Sequence, residues 1–169
     1  QQYFLTVCRI EPENKLDLMV QAFTESKLKN QYVIIGNFNA SKYGKEFKKK
    51  YNSIDRLLLL DPIYDQDILD QFRSNCFYYL HGHSAGGTNP SLVEAMYLKL
   101  PIITFGVNYN VSTTMNAAIY FDSKESLIEI LNNLHLEDRK SLKSKMYNIA
   151  KENYKWNEIC ASYVSIFNN

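Results

Sequence analysis

A glycine-rich loop at residues 81–90 carries the side chains best suited to binding an anion. The loop reads HGHSAGGTNP, with Gly86 and Gly87 at its centre and Asn89 and Pro90 at its end. Asparagine is a favoured N-cap and proline is favoured at the first helical position, so a helix is expected to begin here. The free amides of its first turn, beside the slim glycine backbone, would form a phosphate cradle. An ordinary glycine-rich loop before a capped helix gives the same pattern, and that alternative stays open.

Two cations earlier in the chain can pair with the same anion. Arg9 follows the first apolar run, and Lys15 comes shortly after it. A guanidinium binds a diphosphate as a fork and an ammonium binds it as a point charge. The pair can therefore neutralise a diphosphate leaving group, and neither a metal ion nor another cofactor is expected. Solvated surface charges are the alternative interpretation of both residues.

Glu94 stands one helical turn beyond Pro90 on the same expected helix face. A carboxylate repels phosphate, but it accepts hydrogen bonds from the hydroxyl groups of a sugar bound beside that phosphate. The alternative is a solvated glutamate that the positive end of the helix dipole favours.

The same loop contains a Gly-x-Ser-x-Gly sequence at residues 82–86, which is the nucleophile-elbow pattern of serine hydrolases. That interpretation makes Ser84 a nucleophile and requires a downstream histidine, for which His135 is the available residue. In a true elbow the helix starts almost at the serine, whereas here it is expected to start only at Pro90. The pattern therefore favours an anion site over a hydrolase.

No set of residues has the spacing of a metal site. The three cysteines, Cys8, Cys76 and Cys160, are scattered and are expected to be reduced core residues of a cytosolic protein. His81 and His83 are expected to point to opposite sides of the chain, which would prevent them from sharing a metal ion.

Six short apolar runs alternate with helical patterns and must position these residues. The runs are nearly continuous in large or β-branched residues, which is typical of parallel strands buried on both faces. They span residues 3–8, 32–35, 57–60, 77–80, 102–105 and 118–121. Helical segments are expected at residues 15–28, 43–51, 65–74, 90–99, 112–116, 124–134, 138–154 and 157–167. The alternation predicts an α/β fold, a Rossmann-like doubly wound parallel sheet of six strands flanked by helices, in the order 3-2-1-4-5-6.

This topology predicts where the site lies. Ligands of doubly wound sheets bind at the carboxyl ends of the strands, where the direction of winding reverses. The reversal falls between the first and fourth strands, so the loops at residues 9–14 and 81–89 are expected to meet there.

The bulk composition is that of an ordinary globular domain and excludes several classes of protein. The length of 169 residues suits one domain, and 46% hydrophobic with 22% charged residues argues against disorder. The net charge of +1 gives no reason to expect a nucleic-acid partner. No apolar run approaches the ~18 residues of a membrane span, and no signal peptide is expected at the start of the sequence. Neither a dinucleotide-binding glycine motif nor a P-loop is present.

The sequence resembles the C-terminal, donor-binding domain of GT-B glycosyltransferases of the family 4 type. The resemblance is carried by YFLTVCRIEPENKLDLMVQA (3–22), VIIGN (33–37), PSLVEAMYLKLPII (90–103) and the tail at 156–167. The stretch GHSAGGTNPSLVEAM is similar to a subgroup of rhamnosyltransferases that build capsular or other surface polysaccharides. The resemblance covers essentially the whole chain. It implies that residues 1–169 form one half of a GT-B fold and that an N-terminal acceptor domain is absent.

The resemblance also implies roles for individual residues. Arg9 and Lys15 correspond to the catalytic pair that holds the donor diphosphate, and Glu94 corresponds to a glutamate that contacts the nucleotide ribose. Residues 63–64 fall beside the base, and residues 36–37 fall near the acceptor side of the cleft. The implied donor-binding residues besides Glu94 are Gly36, Asn37, Ile63, Tyr64, His83, Ser84, Gly86, Gly87, Thr88, Asn89 and Pro90.

One position departs from the family pattern. Gly86 stands where the family carries the first glutamate of its Glu-x7-Glu motif, which contacts the transferred sugar. His83, Ser84 or Asn89 is expected to supply that polar contact instead, and the sequence does not choose among them. A degenerate, non-catalytic module that binds nucleotide sugars is the alternative that this departure leaves open.

The implied activity is transfer of a hexosyl or deoxyhexosyl unit, rhamnosyl in the most similar subgroup, from a nucleoside diphosphate sugar to a bacterial surface glycan. The implied partners are that donor and a glycan or lipid-linked acceptor. Because the acceptor domain is missing, the isolated chain is expected to bind nucleotide weakly and to be inactive. The expected location is the cytoplasm. The run KEFKKK at residues 45–50 indicates either a solvated helix face or peripheral contact with an anionic membrane surface.

Overall fold

In the computed structural model, which describes residues 2–155, all six strands lie in one parallel sheet. The strands are β1 (Tyr3–Val7), β2 (Gln31–Ile35), β3 (Leu57–Leu60), β4 (Tyr78–His81), β5 (Ile102–Phe105) and β6 (Ile119–Phe121). They are ordered β3-β2-β1-β4-β5-β6, and every neighbouring pair is parallel. The predicted topology is confirmed, and the winding reverses between β1 and β4.

Helices connect the strands and cover both faces of the sheet. They are α1 (Leu16–Glu25), α2 (Lys42–Tyr51), α3 (Gln66–Asn75), α4 (Pro90–Tyr97), α5 (Asn108–Thr113), α6 (Lys124–Asn132) and α7 (Leu136–Asn153), with a short 3-10 helix at Pro12–Asn14. The expectation of a helix at residues 112–116 was wrong. The helix lies earlier, and Met115 and Asn116, at positive φ values of 47° and 54°, follow its end. The expected helix at 157–167, the tail at 156–167 and Cys160 lie outside the described residues.

The strands are buried on both faces because successive side chains point to opposite sides of the sheet. Phe4 and Tyr78 join a cluster with residues of α1, α2 and α6 on one face. Leu5 and Tyr79, their immediate neighbours in sequence, join a second cluster with residues of α4 and α7 on the other face. The two layers fix the strands, and thereby the loops at their carboxyl ends.

His81 ends β4 inside this core, with only 3% of the residue exposed. Its ring stacks on Tyr79, with 6.2 Å between ring centroids. Its Nε2 atom has no hydrogen-bond partner among the described residues. Burial, reinforced by the neighbouring His83, lowers the pKa of His81 to about 3. The ring is therefore neutral at physiological pH.

Burial of His81 is expected to make the domain less stable as the pH falls. The unfolded chain binds a proton near the ordinary pKa of 6.5, whereas the folded chain does so near 3. The unfolded state therefore holds more protons between these values, and acidification favours it. His81 alone should lower the free energy of unfolding by up to about 1.4 kcal/mol per pH unit in this window. Urea unfolding of the wild type and His81→Phe, from neutral pH downward, measures the difference between them. Parallel curves for the two proteins would contradict a neutral, buried imidazole.

Candidate functional site

The loops after β1 and β4 meet at the carboxyl edge of the sheet, as predicted. Asn14 joins them: its Nδ2 donates to the carbonyl oxygen of Arg9 at 2.7 Å, and its Oδ1 lies 2.9 Å from Nδ1 of His83. The backbone N–H and the hydroxyl of Ser84 both donate to the carbonyl oxygen of Glu13, each at 2.8 Å. These bonds hold the glycine-rich loop against the loop that carries Arg9.

These contacts do not support the hydrolase alternative. The Ser84 hydroxyl donates to the backbone carbonyl of Glu13, so it is anchored and makes no hydrogen bond to a general base within the described residues. The following helix begins only at Pro90. His135 lines a separate cavity with Tyr78 and Glu129.

Two glycines allow the close approach of the loops. A Cβ atom on Gly82 would clash with the carbonyl oxygen of Asn14 and would lie 2.8 Å from Cε of Met19. A Cβ atom on Gly36 would clash with the carbonyl oxygen of Cys8. Only glycine therefore fits at these two crossing points of the backbone.

Two cavities open side by side above these loops. The apolar cavity, about 350 Å³, lies over β1, β2 and β3 and is lined by Val7, Cys8, Arg9, Ile10, Glu11, Ile35, Gly36, Asn37, Ala40, Pro62, Ile63, Tyr64 and Ser91. The polar cavity, about 340 Å³, lies between β1 and β4 and is lined by Cys8, Arg9, Asn14, His83, Asn89, Pro90, Ser91 and Glu94. They share Cys8, Arg9 and Ser91, so one extended ligand can occupy both. Each volume lies within the range typical of small-molecule sites.

The two predicted cations differ in their placement. Arg9 lines both cavities with 80% of its side chain exposed, and its contact with Glu13 is long, at 3.8 Å. The guanidinium is therefore available to an incoming anion. Lys15 lines neither cavity, and its Nζ lies 5.6 Å from the centre of the Phe105 ring. Its backbone takes a left-handed conformation with φ of 50° between the 3-10 helix and α1.

The expectation that the first-turn amides of α4 are free was wrong. The predicted N-cap and N1 residues, Asn89 and Pro90, are confirmed. However, the Ser91 amide donates to Oδ1 of Asn89 at 3.0 Å, and the next two amides donate to the Asn89 carbonyl. Proline has no amide hydrogen. The amides of the exposed loop at residues 86–88, which precedes α4, donate no hydrogen bond within the described part of the chain. These loop amides are backbone donors that remain free for an anion, and α4 adds the positive end of its dipole.

Glu94 is held by an arginine that the sequence interpretation missed. Arg73 of α3 donates from Nη2 to Oε2 of Glu94 at 2.6 Å and from Nη1 to Asp70 at 3.2 Å. The Arg73 side chain is 4% exposed, whereas that of Glu94 is 53% exposed. One carboxylate oxygen is thus fixed, and Oε1 makes no hydrogen bond within the described part of the chain. The sequence does carry a signal for this arginine: Arg73 stands four residues after Leu69, on the apolar face of α3, where a charged side chain needs a buried partner.

The two histidines do not point to opposite sides. The rings of His81 and His83 lie side by side, 6.1 Å apart between centroids. Residues two apart in an extended segment share a side, and the expectation ignored that rule. Between residues 2 and 155 there is no group of three or more His, Cys, Asp or Glu residues that could hold a metal ion. Cys8 lines both cavities, but burial raises the pKa of its thiol to about 12, so it is not a thiolate nucleophile.

Comparison with known proteins gives one family and a set of similar structures. The family described as "Glycosyl transferases group 1" matches residues 1–153. No curated protein is similar enough in sequence to count as a match.

Three solved structures illustrate the shared fold. Alr3699/HepE of Anabaena in complex with UDP has a TM-score of 0.81 and 15% identity, covering 98% of this chain and 48% of that one. The pneumococcal O-GlcNAc transferase GtfA in complex with UDP and GlcNAc has a TM-score of 0.74 and 22% identity, covering 97% and 35%. Sucrose-phosphate synthase from Thermosynechococcus elongatus has a TM-score of 0.83 and 16% identity, covering 99% and 45%. The chain spans half or less of each, and the similarity confirms the Rossmann-like half of a GT-B fold.

Replacing Gly82 by alanine tests the close approach of the two loops. The added methyl group would clash with the Asn14 carbonyl, and we expect a loss of about 1–3 kcal/mol in the free energy of unfolding. Gly87→Ala is the matched control, because a Cβ atom there meets nothing within 4 Å. Urea denaturation of both variants measures the effect, and equal stability of the two would contradict the packing described here.

Replacing Glu94 by alanine tests the contact with Arg73. The buried guanidinium would keep Asp70 as its carboxylate partner, and the free energy of unfolding should fall by about 1–3 kcal/mol. Glu94→Gln retains an acceptor oxygen and should lose less. Thermal and urea unfolding of both variants provide the measurement. A Glu94→Ala protein as stable as the wild type would show that the contact contributes nothing.

Proposed function

The chain belongs to the glycosyl transferases group 1 family, and we propose on that premise that it is the donor-binding domain of a glycosyltransferase. The proposed reaction transfers a hexosyl or deoxyhexosyl unit from a nucleoside diphosphate sugar to a glycan. The observation that carries the proposal is the pair of adjoining cavities, one apolar and one polar, which share Arg9. A nucleotide sugar carries, in the corresponding order, a flat base, a charged diphosphate and a hydroxylated sugar ring.

The apolar cavity suits the base. Its lining includes residues 36–37 and 62–64 together with Ile10 and Ile35, and one of these residues, Tyr64, is 88% exposed. A planar heterocycle buries apolar faces and needs few polar partners, which backbone groups of these loops can supply. Residues 36–37 therefore belong to the donor site in this proposal. UDP is the first nucleotide to test, because the HepE and GtfA structures contain it.

The junction of the cavities suits the diphosphate. Arg9 lines both cavities and can bind it as a fork, while the amides of residues 86–88 can donate from the opposite loop. Lys15, which lines neither cavity, adds a positive charge at the same edge of the sheet. These groups would stabilise the negative charge that develops on the leaving diphosphate, so the proposal requires no metal ion.

The polar cavity suits the ribose and the sugar. Arg73 fixes Oε2 of Glu94, which leaves Oε1 to accept a hydrogen bond from a ribose hydroxyl. A carboxylate whose position is fixed in advance loses little freedom when the ligand binds. This arrangement supports the role proposed for Glu94.

The proposal also covers the class of sugar, the acceptor and the location of the protein relative to the membrane. The stretch GHSAGGTNPSLVEAM supports a deoxyhexosyl donor, such as a rhamnosyl donor, and a surface-glycan product. The acceptor would bind to a second domain of the full-length protein, on the cytoplasmic side of the membrane. None of the helices described between residues 2 and 155 is long and apolar enough to cross a bilayer. Lys48 and Lys50 form ion pairs with Asp61 and Asp17, so peripheral membrane contact would rely on Lys45 and Lys49.

Calorimetric titration of the chain with UDP, GDP and dTDP tests the proposal. We expect saturable binding of one diphosphate, which identifies the base, and roughly ten- to hundredfold weaker binding by Arg9→Ala. Lys145→Ala is the matched control, because it removes an exposed cation of α7 that lines neither cavity.

Each outcome of the titration has a defined meaning. Equal weakening by both variants would show nonspecific attraction of an anion and would contradict the assigned site. Absence of binding of every diphosphate by the folded wild-type chain would contradict the proposed function of this domain. Where a diphosphate binds, the full-length protein separates the two alternatives: sugar transfer supports an active enzyme, and nucleotide binding without transfer supports the degenerate module.

A further inference from the structure

His83 presents one ring nitrogen to the polar cavity, and its bonding fixes the chemical character of that nitrogen. The ring is half-buried at the wall of the cavity, beside Asn89 and Glu94. Its Nδ1 faces Oδ1 of Asn14 at 2.9 Å. Its Nε2 makes no hydrogen bond to any residue that the structure describes.

Asn14 determines which nitrogen of His83 carries the hydrogen. The Nδ2 group of Asn14 donates to the carbonyl oxygen of Arg9 at 2.7 Å, which fixes the orientation of the carboxamide. Rotating the carboxamide by 180° would place Oδ1 of Asn14 against the carbonyl oxygen of Arg9. The oxygen of Asn14 therefore faces His83, and Nδ1 of the ring must be the donor. A neutral imidazole has one N–H group, so Nε2 carries the lone pair and is an acceptor.

The position of the ring is fixed as well as its tautomer. The carbonyl oxygen of His83 accepts a hydrogen bond at 2.9 Å from Nδ2 of Asn110, a fully buried residue at the start of α5. The backbone and the ring are thus held by different elements. A group held in this way can recognise a ligand without first losing freedom of its own.

Gly86 approaches Nε2 of His83 without a side chain. A Cβ atom on Gly86 would lie 4.0 Å from Nε2. Gly86 also has a φ of +85°, a conformation that glycine adopts more readily than other residues. The residue beside the lone pair therefore leaves it uncovered.

The two other candidates for the sugar contact, Ser84 and Asn89, are less suited to it. Ser84 donates its hydroxyl hydrogen to the carbonyl oxygen of Glu13 and does not line the polar cavity. Asn89 accepts hydrogen bonds at Oδ1 from both the amide and the hydroxyl of Ser91. Among these three candidates, the imidazole is the one that lines the polar cavity with an unused acceptor.

We propose that His83 is the residue of this chain that binds the donor sugar, with Nε2 accepting a hydrogen bond from a hydroxyl group of the sugar ring. The assignment rests on the proposed function, because it places the sugar next to a diphosphate held by Arg9 and the loop amides. Its ligand class is a hexose or deoxyhexose that keeps a hydroxyl group on the face turned to Gly86. The role is binding and selection of the sugar.

Two substitutions separate the two nitrogens of the ring. His83→Asn places an amide nitrogen near the position of Nδ1, so it can still donate to Asn14, but it has no group at the position of Nε2. His83→Gln places its amide near Nε2 and gives up the bond to Asn14. Each variant and the wild type are titrated with UDP and dTDP, and with UDP-glucose, UDP-galactose and dTDP-rhamnose.

The wild type should bind one of these nucleotide sugars more tightly than the matching diphosphate. His83→Asn should leave the affinity for the diphosphate within about twofold and should weaken the nucleotide sugar by about five- to tenfold. His83→Gln should recover part of that preference. Equal weakening of diphosphate and nucleotide sugar by His83→Asn would show a structural role only and would overturn the proposal. The proposal would also be overturned if the wild type bound each of the three nucleotide sugars no more tightly than the matching diphosphate. A folded wild type that binds no diphosphate would instead indicate failure of the proposed function.

The tautomer supplies a second, independent readout. Long-range ¹H–¹⁵N spectra of the imidazole rings should show His83 with its hydrogen on Nδ1 in the free chain. The Nε2 resonance should shift when the nucleotide sugar binds and should stay nearly unchanged with the diphosphate alone. A hydrogen on Nε2 in the neutral ring of the free chain would overturn the assignment of Nε2 as the acceptor.

Discussion

The carboxamide of Asn14 joins the two loops on which the site depends. It donates to the backbone of Arg9 and accepts from the ring of His83, so one nearly buried side chain links the end of β1 to the end of β4. The backbone of Ser84 adds a parallel link to Glu13. Because Gly82 passes directly over the Asn14 carbonyl, the loops lie too close together for any side chain at that crossing. The cation and the imidazole are thereby held at the same mouth of the sheet.

The hydrogen bonds of the site divide its polar groups into used and unused ones. The contact between the loops uses the hydroxyl of Ser84 as a hydrogen-bond donor, and the N-cap of α4 uses the side-chain oxygen of Asn89 and the first-turn amides. In the described part of the chain, the groups left over include the Arg9 guanidinium, the amides of residues 86–88, Nε2 of His83, Nδ2 of Asn89 and one oxygen of Glu94. Arg9 lies where the two cavities join, and His83, Asn89 and Glu94 line the polar cavity. A cation at the junction with acceptors beyond it matches the order of diphosphate and hydroxyl groups in a nucleotide sugar.

Much of the fold could be predicted from local patterns in the sequence. Nearly continuous apolar runs gave all six strands, and the rules of crossover handedness gave their order, because both depend on burial along the chain. The short helix α5 was misplaced because its six residues, most of them polar, carry no clear hydrophobic period. Asn89 and Pro90 gave the start of α4 correctly. The same cap was then wrongly expected to leave the helix amides free, whereas its side chain and carbonyl occupy them.

The site itself could be predicted only in part, because its decisive contacts join distant positions. Asn14 meets His83 across 69 residues, and Arg73 meets Glu94 across 21 residues, distances at which sequence patterns carry no pairing information. The choice among His83, Ser84 and Asn89 depended on which hydrogen bonds each already makes. Neither the type of a residue nor its spacing in the sequence shows which hydrogen bonds its side chain makes in the folded protein.

Mapping of amide chemical shifts on addition of UDP, or of whichever diphosphate binds, tests whether the two cavities form one nucleotide site. We expect the largest changes on both sides of Arg9, at residues 36–37 and 63–64 and at residues 86–88, and we expect them to saturate together. Changes confined to the separate cavity beside Tyr78 and His135, or spread evenly over the lysine-rich α2, would contradict it.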